Sequence, residues 1–183
     1  MALRHAVLTA LLDDECSGYE LAKTFDSGMA NFWHATPQQL YLELSKLEAA
    51  DLVRGREVVQ ESRPNKRLFT VTEAGMAELE RFAAQPMRAS FIRDDLLVKV
   101  HAVDHIGAEK VIGQLRARAE LADAKLELYE KILAHLRGGE DEESYLRTAA
   151  RVGPYLTCLR GRAYESDTRA WCLSTAELLE SRA

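Results

Sequence analysis

Gln38 and Gln39 stand side by side after Thr36-Pro37, and Tyr41, Ser45 and Lys46 follow at a spacing that keeps hydrogen-bonding groups on one side of a helix. A side-chain amide donates and accepts at once, so glutamine can pair with N6 and N7 of an adenine, whereas hydroxyl and ammonium groups suit phosphate oxygens. Arg63, Lys66 and Arg67 form a second group around Pro64-Asn65. Long cationic side chains at a turn can reach phosphates or a minor groove without disturbing any core. Both groups imply non-covalent recognition of nucleic acid, with the glutamines reading base edges and Tyr41 and Lys46 holding phosphate.

Patterns that make or break bonds are missing. There is no nucleophile elbow, phosphate-cradling glycine loop or paired-acid signature, because Gly18, Gly28, Gly55 and Gly75 are isolated. His101 and His105 lie one helical turn apart, but Ala102 sits where a zinc-protease motif needs Glu, so no metal is assigned. Cys16, Cys158 and Cys172 are odd in number and widely spaced, and read as small hydrophobes rather than a disulfide framework. The expectation is a chain with no catalytic residues and no cofactor.

The elements that must position these side chains follow from caps and periodicity. Thr36 is placed to cap a helix running to Glu48, with Pro37 at the first position, where a missing N–H costs nothing. Leu40, Leu44 and Leu47 give that helix one apolar face and leave the other polar. Two β-prone runs between Arg54 and Thr72 flank the Pro-Asn turn and form a hairpin tipped by the cations. Thr72 caps the next helix, with Met76, Leu79 and Phe82 as its buried stripe. Upstream, residues 3–12 form a short apolar helix, and Ser17 caps a second that runs from Tyr19 to Phe25. Three helices, a ribbon and a closing helix are the order of a winged helix-turn-helix.

Gln85-Pro86 marks a boundary, giving a winged domain over 1–86 and a helical domain over 87–183. The fold class is therefore mainly α with a small β-ribbon. In the second domain a helix pattern over Phe91 to His105 breaks near Gly107. Ala108, Ile112, Leu115, Ala119, Ala122, Leu126, Tyr129, Leu133 and Leu136 then alternate spacings of four and three, the seam of a coiled coil. A last helical region runs from about Ser144 toward Leu179, kinked or split at Gly153-Pro154, with Tyr164, Trp171 and Leu178 recurring every seven residues. Stripes this wide are expected to pair with a second copy, which makes Leu115, Ala119, Ala122, Leu126, Tyr129, Leu133, Tyr164, Trp171 and Leu178 the expected homodimer interface. Trp33, Phe91, Tyr155 and Trp171 are large aromatics able to receive a small aromatic or hydrophobic effector, although core packing also uses such residues.

Charge argues against indiscriminate nucleic-acid binding. The net charge is -5, and residues 1–82 hold nine Lys/Arg against thirteen Asp/Glu. Locally the balance reverses: Arg54 to Arg67 carries five cations against Glu57 and Glu61, and binding depends on the contacting face. Affinity should rest on sequence contacts and dimerisation and fall steeply with salt. No apolar run approaches the roughly 18–20 residues of a membrane span, and Met1-Ala2-Leu3-Arg4-His5 is unlike a signal peptide, so a cytoplasmic protein is expected.

The segments Ser17-Gly18-Tyr19-Glu20-Leu21, Gln39 to Glu48, Arg63-Pro64-Asn65-Lys66-Arg67 and Thr72-Glu73-Ala74-Gly75 resemble the PadR family of transcriptional regulators. The tail resembles that family's virulence-activator-like C-terminal domain by length, pattern and the stretch from Arg160-Gly161 to Trp171. Phe69, where the family commonly has Tyr, and Ser62, in place of a common small residue or Gly, are mild departures. The resemblance implies a dimeric winged-helix DNA binder, usually a repressor that small molecules release. It also assigns DNA contacts to Ser17 and Tyr19, to Gln38, Gln39, Tyr41, Ser45 and Lys46, and to Arg63, Lys66 and Arg67. The rival is a helical dimeric adaptor without DNA specificity, which would have no use for a Gln-Gln helix start beside a cationic ribbon tip.

Overall fold

The computed structural model describes residues 2–25, 33–59, 65–87 and 93–182, apart from the side chains of Ala2 and Thr24. Arg63 and Phe91 lie outside the described residues. The chain forms two compact units, Met1–Ala89 and Ser90–Ala183.

In the first unit α1 (Ala2–Ala10), α2 (Gly18–Thr24) and α3 (Pro37–Ala49) are followed by β2 (Val53–Val58), β3 (Lys66–Val71) and α4 (Glu73–Ala83), while the two residues Cys16–Ser17 form β1. The strands lie in the order β1-β3-β2, all antiparallel. Pairing runs from Val53 opposite Val71 to Val58 opposite Lys66, and Ser17 of β1 faces Leu68. Three helix starts carry the side-chain caps expected of them, Ser17, Thr36 and Thr72. Val7, Leu8, Leu11, Leu21, Phe25, Leu40, Leu44 and Leu47 join Val53 and Phe69 in one core. Each such side chain contributes about 1.5–3 kcal/mol through burial.

The stripe expected on α4 is only partly buried. Met76 and Phe82 are 43% and 42% exposed, and Leu79 is the one that packs on the core. Phe82 is used differently: its ring stacks on the His5 imidazole, with centroids 3.9 Å apart. His5 Nε2 in turn lies 3.0 Å from Glu78 Oε1, which ties α1 to α4 by polar contact where an apolar seam was expected.

The second unit contains α5 (Asp95–His101), α6 (Val103–Ile106), α7 (Ala108–Arg137), α8 (Glu142–Thr148) and α9 (Gly153–Ser181). The break at Gly153-Pro154 is a full split, with Pro154 in the first turn of α9. Contacts from Arg116 to Glu180 and from Arg162 to Glu130 show that α7 and α9 run antiparallel. Their inner faces close on each other. Val111, Leu115 and Ala119 meet Cys172 and Ala176, and farther along Tyr129 and Leu133 meet Tyr155 and Cys158. The Tyr129 ring seats against Gly161, where a Cβ would stand 2.4 Å from its oxygen, so only glycine allows this approach. Between the two clusters lies Glu165, 2% exposed. Its carboxylate accepts from Arg118 Nη2 at 2.7 Å and Lys125 Nζ at 2.8 Å. Among the described residues no helix is long and apolar enough to cross a membrane.

Candidate nucleic-acid interface

Burial of Leu40, Leu44 and Leu47 fixes which face of α3 turns outward. Gln38, Gln39, Tyr41, Leu42, Ser45 and Lys46 are all exposed, and by helical spacing Gln38, Tyr41, Leu42 and Ser45 form its outer row. Leu42, 58% exposed, was not singled out from the sequence. Its signal was available, since it falls off the Leu40, Leu44, Leu47 spacing and an apolar group there can touch a thymine methyl.

Several nominated side chains already hold intramolecular partners. Gln39 Oε1 accepts the Thr36 N–H at 2.9 Å while Thr36 Oγ1 accepts the Gln39 N–H at 3.3 Å, a reciprocal capping box. Gln39 therefore serves the helix start, and Gln38 beside it has no such duty among the contacts of this turn. The Ser45 hydroxyl donates to the Tyr41 carbonyl at 3.1 Å, and Lys46 Nζ is 3.6 Å from Glu43. Ser17 is buried: its Oγ accepts the Glu20 N–H and donates to Glu20 Oε2, so it builds α2 and presents no face to solvent. Tyr19, 73% exposed, is the outward residue of that pair. Tyr19, Lys23, His34, Pro37 and Tyr41 line a cleft of about 440 Å³ between α2 and the start of α3.

The ribbon cations are paired as well. Lys66 Nζ lies 3.4 Å from Glu20 Oε1, and Arg67 Nη2 donates to Glu48 Oε1 at 2.6 Å. Arg56 pairs with Glu15. The Ser17 N–H and hydroxyl, with Lys66 adding to them, hold the Glu20 carboxyl below its ordinary range, so it is anionic at neutral pH.

The residues expected at a homodimer interface divide into three sets. Leu115, Ala119, Ala122, Tyr129 and Leu133 are buried within the subunit, Leu115 and Ala119 against Cys172 and Ala176 of α9 and Tyr129 and Leu133 against its Tyr155 and Cys158. A heptad seam demands a helical partner, and the antiparallel return of α9 supplies it within the subunit. Leu126 and Trp171 are half-buried, whereas Tyr164 and Leu178 face outward. Leu121, Leu128 and Leu156 are further exposed apolar residues on α7 and α9.

Of the expected effector aromatics, Tyr155 and Trp171 of the second unit fall in separate core clusters. Trp33 packs on the core of the first unit. In the second, Tyr155 is fully buried, its hydroxyl donating to Glu142 at 2.8 Å and its ring 4.9 Å from that of Tyr145. Trp171 belongs to the other core cluster. At about 1.5 Å per helical residue, Tyr155 and Trp171 stand roughly 24 Å apart along α9. Cys158 and Cys172 are buried free thiols whose surroundings push their pKa up. Among the described residues no cluster of His, Cys, Asp and Glu could hold a metal ion.

A helix with an exposed amide-bearing face, packed under a three-stranded ribbon, defines a winged helix-turn-helix protein. Comparison with known proteins makes the class specific. The "Transcriptional regulator PadR-like family" model matches residues 7–81, and "Virulence activator alpha C-term" matches 92–180. Probable transcriptional regulator Rv1176c of Mycobacterium tuberculosis is 34% identical, with both chains fully covered. Negative transcriptional regulator PadR of Bacillus subtilis is 24% identical, with 97% of each chain covered. The crystal structure of Bacillus subtilis PadR with operator DNA superposes with a TM-score of 0.83 at 21% identity, covering 98% of this chain and 99% of that one. The same protein with p-coumaric acid gives 0.76 at 20% identity and the same coverage. The virulence activator AphA of Vibrio cholerae gives 0.73 at 26% identity, with 99% of each chain covered. The chain belongs to the PadR-like family and is a DNA-binding transcriptional regulator.

Proposed function

We propose that the chain works as a homodimeric repressor whose two α3 helices enter successive major grooves of an inverted-repeat operator, with half-sites about one helical turn, or a multiple of it, apart. The observation that carries this reading is the outward row of α3, with Tyr19 exposed beside it. Gln38 reads a base edge, Leu42 lies against a base methyl, and Tyr19, Tyr41 and Lys46 hold phosphates. Lys66 and Arg63 bring the ribbon onto the neighbouring backbone. Residues 1–86 supply the DNA contacts and 87–183 the pairing of subunits. Because α9 occupies the inner seam, a second copy meets what that pairing leaves outside, notably Leu121, Leu128, Tyr164 and Leu178. The Bacillus subtilis relative crystallised with p-coumaric acid supports a small aromatic effector that lowers DNA affinity.

The deciding experiment titrates the purified protein against DNA upstream of its own gene, with random DNA as competitor, at two salt concentrations. Selective, salt-sensitive binding of two protomers per site is expected. Binding without selectivity on that DNA or on a genomic selection would leave the adaptor as the better reading. Adding p-coumaric acid to the complex tests the effector, which fails if the compound binds and operator affinity does not move.

A further inference from the structure

Glu48, in the last turn of α3, makes two contacts with one oxygen. Its Oε1 accepts hydrogen bonds from the Gly55 N–H of β2 at 3.0 Å and from Arg67 Nη2 of β3 at 2.6 Å. One carboxylate thus joins the helix to both strands of the ribbon. Gly55 makes the arrangement possible, because a Cβ there would stand 2.4 Å from Arg67 Nε and 2.5 Å from Glu48 Oε1. The guanidinium also lies over the Phe69 ring, 5.7 Å from its centroid, a position that favours a cation. Arg67 accordingly reaches back across the sheet toward α3. The covalent link between α3 and β2 is short and bends through Asp51, whose φ is +55°, and the Glu48 contacts add a tie farther along the ribbon.

We propose that Glu48 and Arg67 are positioning residues: their clasp over Gly55 sets the angle of the ribbon to α3, and Arg67 is not a phosphate ligand. The proposal rests on the reading above, in which α3 and the ribbon touch the same DNA. Its force lies in the sign predicted for Glu48. If Arg67 held phosphate, Glu48 would be a competing anion, and its neutralisation would tighten binding to every sequence while removal of the Arg67 charge flattened the salt slope by about one. If the clasp positions the ribbon, Glu48→Gln and Arg67→Gln both weaken operator binding.

The test measures operator and random-DNA affinity over a salt series for Glu48→Gln, Arg67→Gln, their double variant and Gly55→Ala, with thermal melting as a check on folding. Exposed pairs of this strength correspond to roughly a two- to fivefold effect. The expected result is an operator loss of that size in each single variant, no further loss in the double variant, and an unchanged salt slope. Should Gly55→Ala not fold, the other three variants carry the test. Tighter binding by Glu48→Gln on both DNAs, with a flattened slope for Arg67→Gln, overturns the proposal in favour of a phosphate contact. No change in any of these variants, while Lys66→Ala weakens binding, overturns the proposal and leaves the ribbon on DNA. If Gln38→Ala and Lys66→Ala are silent too, the reading of the interface itself has failed.

Discussion

Replacing Gln39 separates a structural amide from a base-reading one. The residue looks suited to adenine, yet its Oε1 is spent on the Thr36 N–H at 2.9 Å. Gln39→Ala removes that acceptor and leaves an N–H to water at the start of α3. A solvent-exposed hydrogen bond of this kind contributes about 0.5–1 kcal/mol, partly offset by alanine's better helix propensity. For a domain of this size the melting temperature should fall by roughly 2–6 °C. Gln39→Glu keeps the box and places an anion at the helix N-terminus, so it should melt at or above the parent temperature. A bidentate adenine contact, by contrast, contributes about 1–3 kcal/mol of discrimination, or roughly 5- to 150-fold in the operator-to-random ratio. The assay is thermal melting together with competitive titration on both DNAs. Capping predicts a lowered melting temperature and a ratio within about twofold of the parent for Gln39→Ala, with the ratio collapsing for Gln38→Ala instead. A tenfold or greater fall in the ratio for Gln39→Ala, at unchanged melting temperature, would refute the reasoning.

Other outcomes follow from the same contacts. Glu165→Ala removes the anion that Arg118 and Lys125 share, and since both cations reach solvent it should cost about 1–3 kcal/mol, whereas Glu165→Met should cost less in the same denaturant titration. Glu20 and Glu78 have folded-state pKa values below the ordinary 4.5, Glu20 chiefly through the Ser17 N–H and Glu78 chiefly through Arg81. Their contribution is complete above that ordinary value and is lost as pH falls through the lowered ones, so melting temperature should drop in acid and Glu20→Gln should drop less. Lys66→Ala should weaken operator and random DNA alike and flatten the salt slope by about one; an effect confined to the operator would assign Lys66 to base recognition.

Much of the first unit was legible because its determinants are local. Ser17, Thr36 and Thr72 cap helices through side chains that sit within three residues of their partners, and Leu40, Leu44 and Leu47 mark a buried face by spacing alone. The Thr36-to-Gln39 capping box was equally local, and its consequence for Gln39 could have been read from the sequence. Other features are set by distant residues. Strand β1 is two residues long and exists only because β3 offers an edge, so no periodicity announces it. The stripe on α7 states that a helix must cover it but not whether that helix comes from the same chain, and the turn through Gly138-Gly139 returns α9 to it. Glu165 reads as a solvated residue until Arg118 and Lys125, seven positions apart on α7, are seen to converge on it.

Two long helices with heptad spacing could in principle slide past one another in steps of seven and still bury leucine against alanine. The Tyr129 ring on Gly161 and the Glu165 carboxylate between Arg118 and Lys125 forbid those steps. A slip would drive the ring into a residue with a side chain and carry a carboxylate into hydrocarbon, away from both cations. The helical hairpin therefore behaves as a ruler with a single set of graduations. The outward spacing between Leu121 or Leu128 on one helix and Tyr164 on the other is a constant of the subunit, fixed before any second copy arrives to read it.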